Sequence, residues 1–220
     1  MYMLPVLLLI LLPLLQSLRR DCNVQLYRLT AALLGSGIWL AMAAQEVILA
    51  LAGQLQWATA LPLHLCSMMG LLALPALLTR RDTLLHTLLY AGAPGALLAL
   101  LFPAVAETPW PGWTRFFFCA MHAGLVCAPL LPMTLGWRPR PEGALQEWLF
   151  LLLAGSIALV ANAFTGGNYL FLAGPVPGTP LIPLAQWGST VYRILLALIA
   201  AVLLAAEGGI VWLGRRMLRR

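Results

Sequence analysis

Two residues stand out in the apolar run LPLHLC at 61–66: His64 and Cys66. A thiol beside an imidazole is a pairing used for nucleophilic acyl chemistry, because the imidazole can take the thiol's proton. Pro62 suits the first turn of a helix, where its missing N–H costs nothing, so the sequence predicts a helix that begins there and carries both side chains in its first two turns. Residues two apart on a helix point about 200° apart. One of the two therefore faces the bundle interior, and the spacing alone leaves open which. A second imidazole, His122, closes the stretch FFFCAMH, and Cys119 shares its helical face at i, i+3, which makes Cys119 the reserve thiol. Glu46 and Arg193 add opposite charges inside other apolar runs, and Asn162, Asn168 and Tyr169 add polar groups around ANAFTGGNYLFL.

Each of these residues also has a plain structural reading. His64 can be a hydrogen-bonding residue in helix packing, and Cys66 a small apolar one. Glu46 and Arg193 can neutralise each other as a buried pair. His86 lies near the expected cytoplasmic end, away from the other polar groups, and neither it nor Cys22 or Cys127 is assigned a role. The four cysteines form no CxxC and no grouping with the three histidines, so neither a disulfide framework nor a metal site is expected, and the sequence implies no cofactor.

The elements that must position these residues are helices in a membrane. The chain is 62% hydrophobic and 9% charged, with a mean hydropathy of +0.91, far from the composition of a soluble domain. It reads as one all-α polytopic transmembrane helix bundle over 1–220. All 13 basic residues are arginine, and all but Arg115 and Arg193 lie in short clusters between apolar runs, which argues against a nucleic-acid partner and for the positive-inside rule. Apolar spans fall at 1–18, 29–52, 60–78, 83–105, 113–135, 145–165 and 187–213, each near the ~20 residues needed for a bilayer core. In the first, the positive charge follows the apolar run, unlike a cleaved signal peptide. Arg19, Arg20, Arg28, Arg80, Arg81, Arg138, Arg140, Arg215, Arg216, Arg219 and Arg220 occupy alternate connections and the C-terminal tail. That alternation predicts seven spans with the N-terminus outside and the C-terminus cytoplasmic, in the plasma membrane. The connection at 166–186 is rich in Gly and Pro and reads as an extracytoplasmic cap or a re-entrant piece lining a cavity. AGAPG at 91–95 predicts a kink or close helix packing.

On this topology, at 1.5 Å per residue, Glu46 and Cys66 come out roughly 8 Å below the outer face, Arg193 roughly 9 Å and His122 roughly 13 Å. Asn162 belongs to the same layer. Five helices thus deliver polar groups to one level of the outer half.

LPLHLC at 61–66, the histidine of FFFCAMH at 116–122 and ANAFTGGNYLFL at 161–172 resemble, in that order, the motifs of the bacterial YwaF-like integral membrane proteins. Eukaryotic relatives of that family include transmembrane protein 164, a membrane enzyme that moves fatty acyl chains onto ether phospholipids through a cysteine and a histidine. The resemblance implies that Cys66 is that cysteine and His122 that histidine, with membrane phospholipids as partners. After NYLFL the sequence departs from the bacterial pattern, since 175–183 carries no clear copy of its proline and aromatic run.

Two functional readings follow, beside a purely structural one. In the first, Cys66 and His122 form a phospholipid acyltransferase or acyl hydrolase working in the outer half of the bilayer, with Asn162, Asn168 or Tyr169 donating to the oxyanion and His64, Glu46 and Arg193 as supporting polar groups. In the second, the same layer is the substrate site of a transporter or binding protein. Transporters built from inverted repeats show symmetry between halves, and none is visible here, which favours the enzyme.

Overall fold

A computed structural model of the chain describes residues 24–217. The first predicted span at 1–18, together with Arg19, Arg20, Cys22, Arg219 and Arg220, lies outside the described residues. Those that are described form helices and connections without a strand. We number the helices α1 (Val24–Leu51), α2 (Trp57–Ala60), α3 (Leu65–Thr79), α4 (Asp82–Leu101), α5 (Pro111–Cys127), α6 (Leu130–Thr134), α7 (Gly143–Thr165) and α8 (Ser189–Met217). Five segments are long and apolar enough to cross a membrane: α1, α4, α5 continued through α6, α7 and α8.

The predicted span at 60–78 is changed. Its helix starts at Leu65, three residues after Pro62, and runs for 15 residues. Ahead of it stand the single turn of α2 and a non-helical link at 61–64. His64 is thus outside the helix while Cys66 sits in its first turn, so the two do not lie on opposite faces of one helix.

The described residues divide into two compact units, 24–55 with 65–138 and 56–64 with 139–217. In the first, α1 packs against α3 and α5, and α4 against α5. The close approach of α1 to α3 depends on Gly35, where a Cβ would stand 2.7 Å from the Leu74 Cα. Polar side chains tie the same helices. The Tyr27 hydroxyl donates to the Leu77 carbonyl at 2.8 Å, and the Trp39 indole donates to that of Gly70 at 2.9 Å. α4 contains a π-helical turn, Leu88–Gly92, that ends two residues before Pro94. Proline has no N–H for the regular ladder, and a wider turn accommodates that loss. A Cβ at Gly95 would come 2.9 Å from Leu65, so AGAPG provides both an irregular turn and close packing.

In the second unit α7 packs against α8. Its buried positions are Gly143, Ala144, Ala154 and Ala158 together with one larger residue, Glu147, whereas Leu145, Leu149, Leu152, Leu153, Ile157, Val160 and Phe164 are exposed. Those exposed positions recur every three or four residues, which puts them on one face. Small residues inward and large apolar residues outward is the pattern of a helix whose solvent is lipid.

Candidate functional site

The candidate nucleophile and base lie on helices of the first unit that pack together, α3 and α5. Cys66 is half-buried and a free thiol. His122 is buried midway along α5, its ring 4.1 Å from that of Phe118, and its Nδ1 is 2.7 Å from the Phe118 carbonyl oxygen. A carbonyl only accepts, so Nδ1 is the donor and carries the hydrogen. In the neutral ring this leaves Nε2 as the lone-pair nitrogen, the arrangement a general base requires. No hydrogen bond joins the Cys66 thiol to the imidazole among the described residues. Cys119 is half-buried one turn before His122, and Cys127 is buried. On α1, Glu46 is half-buried with its Oε2 enclosed and unpartnered among the described residues. Its neighbour Gln45 donates through Nε2 to the Met121 sulfur at 3.7 Å.

The remaining predicted residues belong to the second unit and form a knot centred on Tyr169. This side chain is fully buried, and its hydroxyl donates to the Trp57 carbonyl at 2.5 Å while accepting from the Leu61 N–H at 3.0 Å. These are backbone groups of the interrupted segment at 56–64. Backbone groups that leave a helix's own ladder need partners of this kind wherever water does not reach them. Tyr169 is held in turn by Asn162, whose Nδ2 donates to the Tyr169 carbonyl at 3.1 Å and whose Oδ1 accepts the Tyr169 N–H at 2.7 Å. Asn168 closes the next turn: its Oδ1 accepts from the N–H groups of Ala173 and Gly174, and its Nδ2 donates to the Gly174 carbonyl. Between these brackets Leu170 and Phe171 take left-handed backbone angles, φ 53° and 57°. That geometry is costly for residues with a Cβ and persists only where the surroundings impose it. His64 packs its ring on Tyr169 and Phe171 at 5.1 and 5.8 Å. Gly167 completes the knot, since a Cβ there would meet the Ala58 carbonyl at 2.5 Å.

Arg193, on α8, donates from Nε to the Leu172 carbonyl at 2.8 Å. It also lines a cavity of about 500 Å³ with Leu159, Asn162, Ala163, Gly166, Gly167 and Ala173. Asn162, Asn168, Tyr169, His64 and Arg193 are therefore gathered in one unit, with the Tyr169 hydroxyl proton committed to Trp57. Cys66, His122 and Glu46 are in the other. Among the described residues no three His, Cys, Asp or Glu side chains assemble as a metal site. Sequence reading did not single out the Phe118 carbonyl, although its place four residues before His122 is where a helical histidine finds an acceptor. The carbonyls of Trp57 and Leu172 left no sequence signal.

Five segments long and apolar enough to cross a membrane, with large apolar side chains on their exposed faces, define a multi-pass α-helical membrane protein. The chain belongs to the TMEM164 family, whose family model matches residues 1–206. No curated protein and no solved structure matches the chain significantly.

Proposed function

We propose that the protein is a Cys/His-dependent phospholipid acyltransferase or acyl hydrolase acting in the outer half of the bilayer. The observation that carries this reading is the Nδ1 bond of His122 to the Phe118 carbonyl, which leaves Nε2 as a base on a helix packed against the one bearing Cys66. In the reaction, Nε2 takes the Cys66 proton and the thiolate attacks the carbonyl carbon of an acyl ester. The ester C–O bond breaks and the departing alkoxide takes the proton back from the imidazolium. The acyl chain, held as a thioester, then passes to the hydroxyl of a second lipid or to water, with the proton moving through His122 once more and the thiolate leaving. The thiol must come within hydrogen-bond reach of Nε2 for the first step, a contact that commonly tightens only when substrate is bound.

We further infer seven spans with the N-terminus and 166–186 outside and Arg215–Arg220 inside, which agrees with arginine at the last turn of α8. The test of function is lysophospholipid release and acyl transfer by protein reconstituted in nanodiscs, followed by mass spectrometry. Cys66→Ala and His122→Gln should each lower the rate at least ~100-fold with insertion unchanged, and His64→Ala should do far less. Full activity in Cys66→Ala with loss in Cys119→Ala would move the nucleophile to Cys119; full activity in both would end the proposal.

A further inference from the structure

The cavity beside Arg193 has the properties of a headgroup site. Arginine cannot shed its charge at ordinary pH, and one on a membrane helix marks a place where an anion or a water-filled space meets it. The Nε–H of Arg193 is occupied by the Leu172 carbonyl, which fixes the plane of the guanidinium. Its Nη hydrogens have no partner among the described residues of its own unit, and the side chain is part of the cavity wall. The rest of that wall is apolar or glycine except for Asn162, which spends one amide hydrogen on the Tyr169 carbonyl and retains the other. Both polar groups are held by the knot around Tyr169, so the site is built before any ligand arrives. Arg193 is the fifth residue of α8, about 6 Å along the helix from its start, so the cavity lies at the end of a long apolar helix and not at its middle.

We propose that this cavity binds the phosphate of a phospholipid headgroup, with the Nη hydrogens of Arg193 on two phosphate oxygens and Asn162 as a further donor. A planar guanidinium fits a tetrahedral phosphate with paired hydrogen bonds, which an ammonium cannot match. This rests on the reading of phospholipids as the protein's ligands and names the part of the lipid that this unit holds.

Binding rather than turnover tests it. The full chain in a phosphate-free maltoside detergent is titrated with dihexanoylphosphatidylglycerol, dihexanoylglycerol and inorganic phosphate, and affinity is read by thermophoresis. The phosphate-bearing lipid should bind at least ~10-fold more weakly to Arg193→Gln, with partial recovery in Arg193→Lys, whereas dihexanoylglycerol should not distinguish the variants. Should Arg193→Gln fail to fold, Ala163→Trp, which fills the cavity and keeps the arginine, should show the same selective loss. Equal lipid affinity in wild type and these variants would overturn the proposal. Inorganic phosphate binding as tightly as the lipid would overturn the lipid assignment. Cys66→Ala should bind like wild type, so an inactive protein that still shows Arg193-dependent binding would remove the acyl-transfer reading and leave this one standing.

Discussion

Among single side chains, Tyr169 does the most with one atom. Its hydroxyl serves a carbonyl and an amide of a segment more than a hundred residues away. Tyr169→Phe removes both bonds without changing the ring, and it leaves two part-buried backbone groups without that partner. A net hydrogen bond is worth about 0.5–1.5 kcal/mol, so we expect a fall in the midpoint of thermal unfolding in detergent. His64→Ala should cost less, because its ring contacts Tyr169 and Phe171 by packing. A midpoint for Tyr169→Phe within error of wild type would show that water reaches Trp57 and Leu61. His122 makes the complementary case: its ring depends on Phe118 for one proton position, and no side-chain substitution at 118 can remove a carbonyl. Only variants of His122 itself test the base.

Helix packing in the first unit is set by missing side chains. Gly35→Val would drive a branched side chain into the Leu74 backbone, whereas at Gly37, two residues on, a Cβ would have nothing within 4 Å. Overpacking of this kind costs about 1–3 kcal/mol, so Gly35→Val should lower the unfolding midpoint or the yield of folded protein, and Gly37→Ala should be neutral or mildly stabilising because alanine favours helix. Equal behaviour of the two would mean that α1 and α3 can separate at no cost. Most long helices were legible from the apolar runs, because twenty apolar residues without charge admit few alternatives to a membrane helix. The interruption at 61–64 was not. Pro62 permits either a helix start or a non-helical link, and the choice depends on the Leu61 and Trp57 backbone finding Tyr169, a long-range contact that no local pattern encodes. The candidate site was legible in the same uneven way. Residue types picked out the Asn–Tyr cluster, while their use as brackets for backbone required the fold.

Across the whole molecule, the arginine alternation makes a topological prediction. Reporter fusions after Leu78, after Trp137 and at the C-terminus should all report cytoplasm, and an external signal at any two of them would end the seven-span reading. The division of the chain adds a matter of timing. Residues 56–64 are made early, yet they belong with 139–217, and the amide of Leu61 must wait for the hydroxyl 108 positions later. At ordinary synthesis rates of about 5–20 residues per second, that wait is roughly 5–20 s. Throughout it, the exposed peptide groups of the link need a temporary host, either water at the mouth of the insertion machinery or a chaperone lining it. A chain truncated before Tyr169 should therefore stay bound to that machinery and be handed to membrane proteases, while one carried through to Met217 should be released.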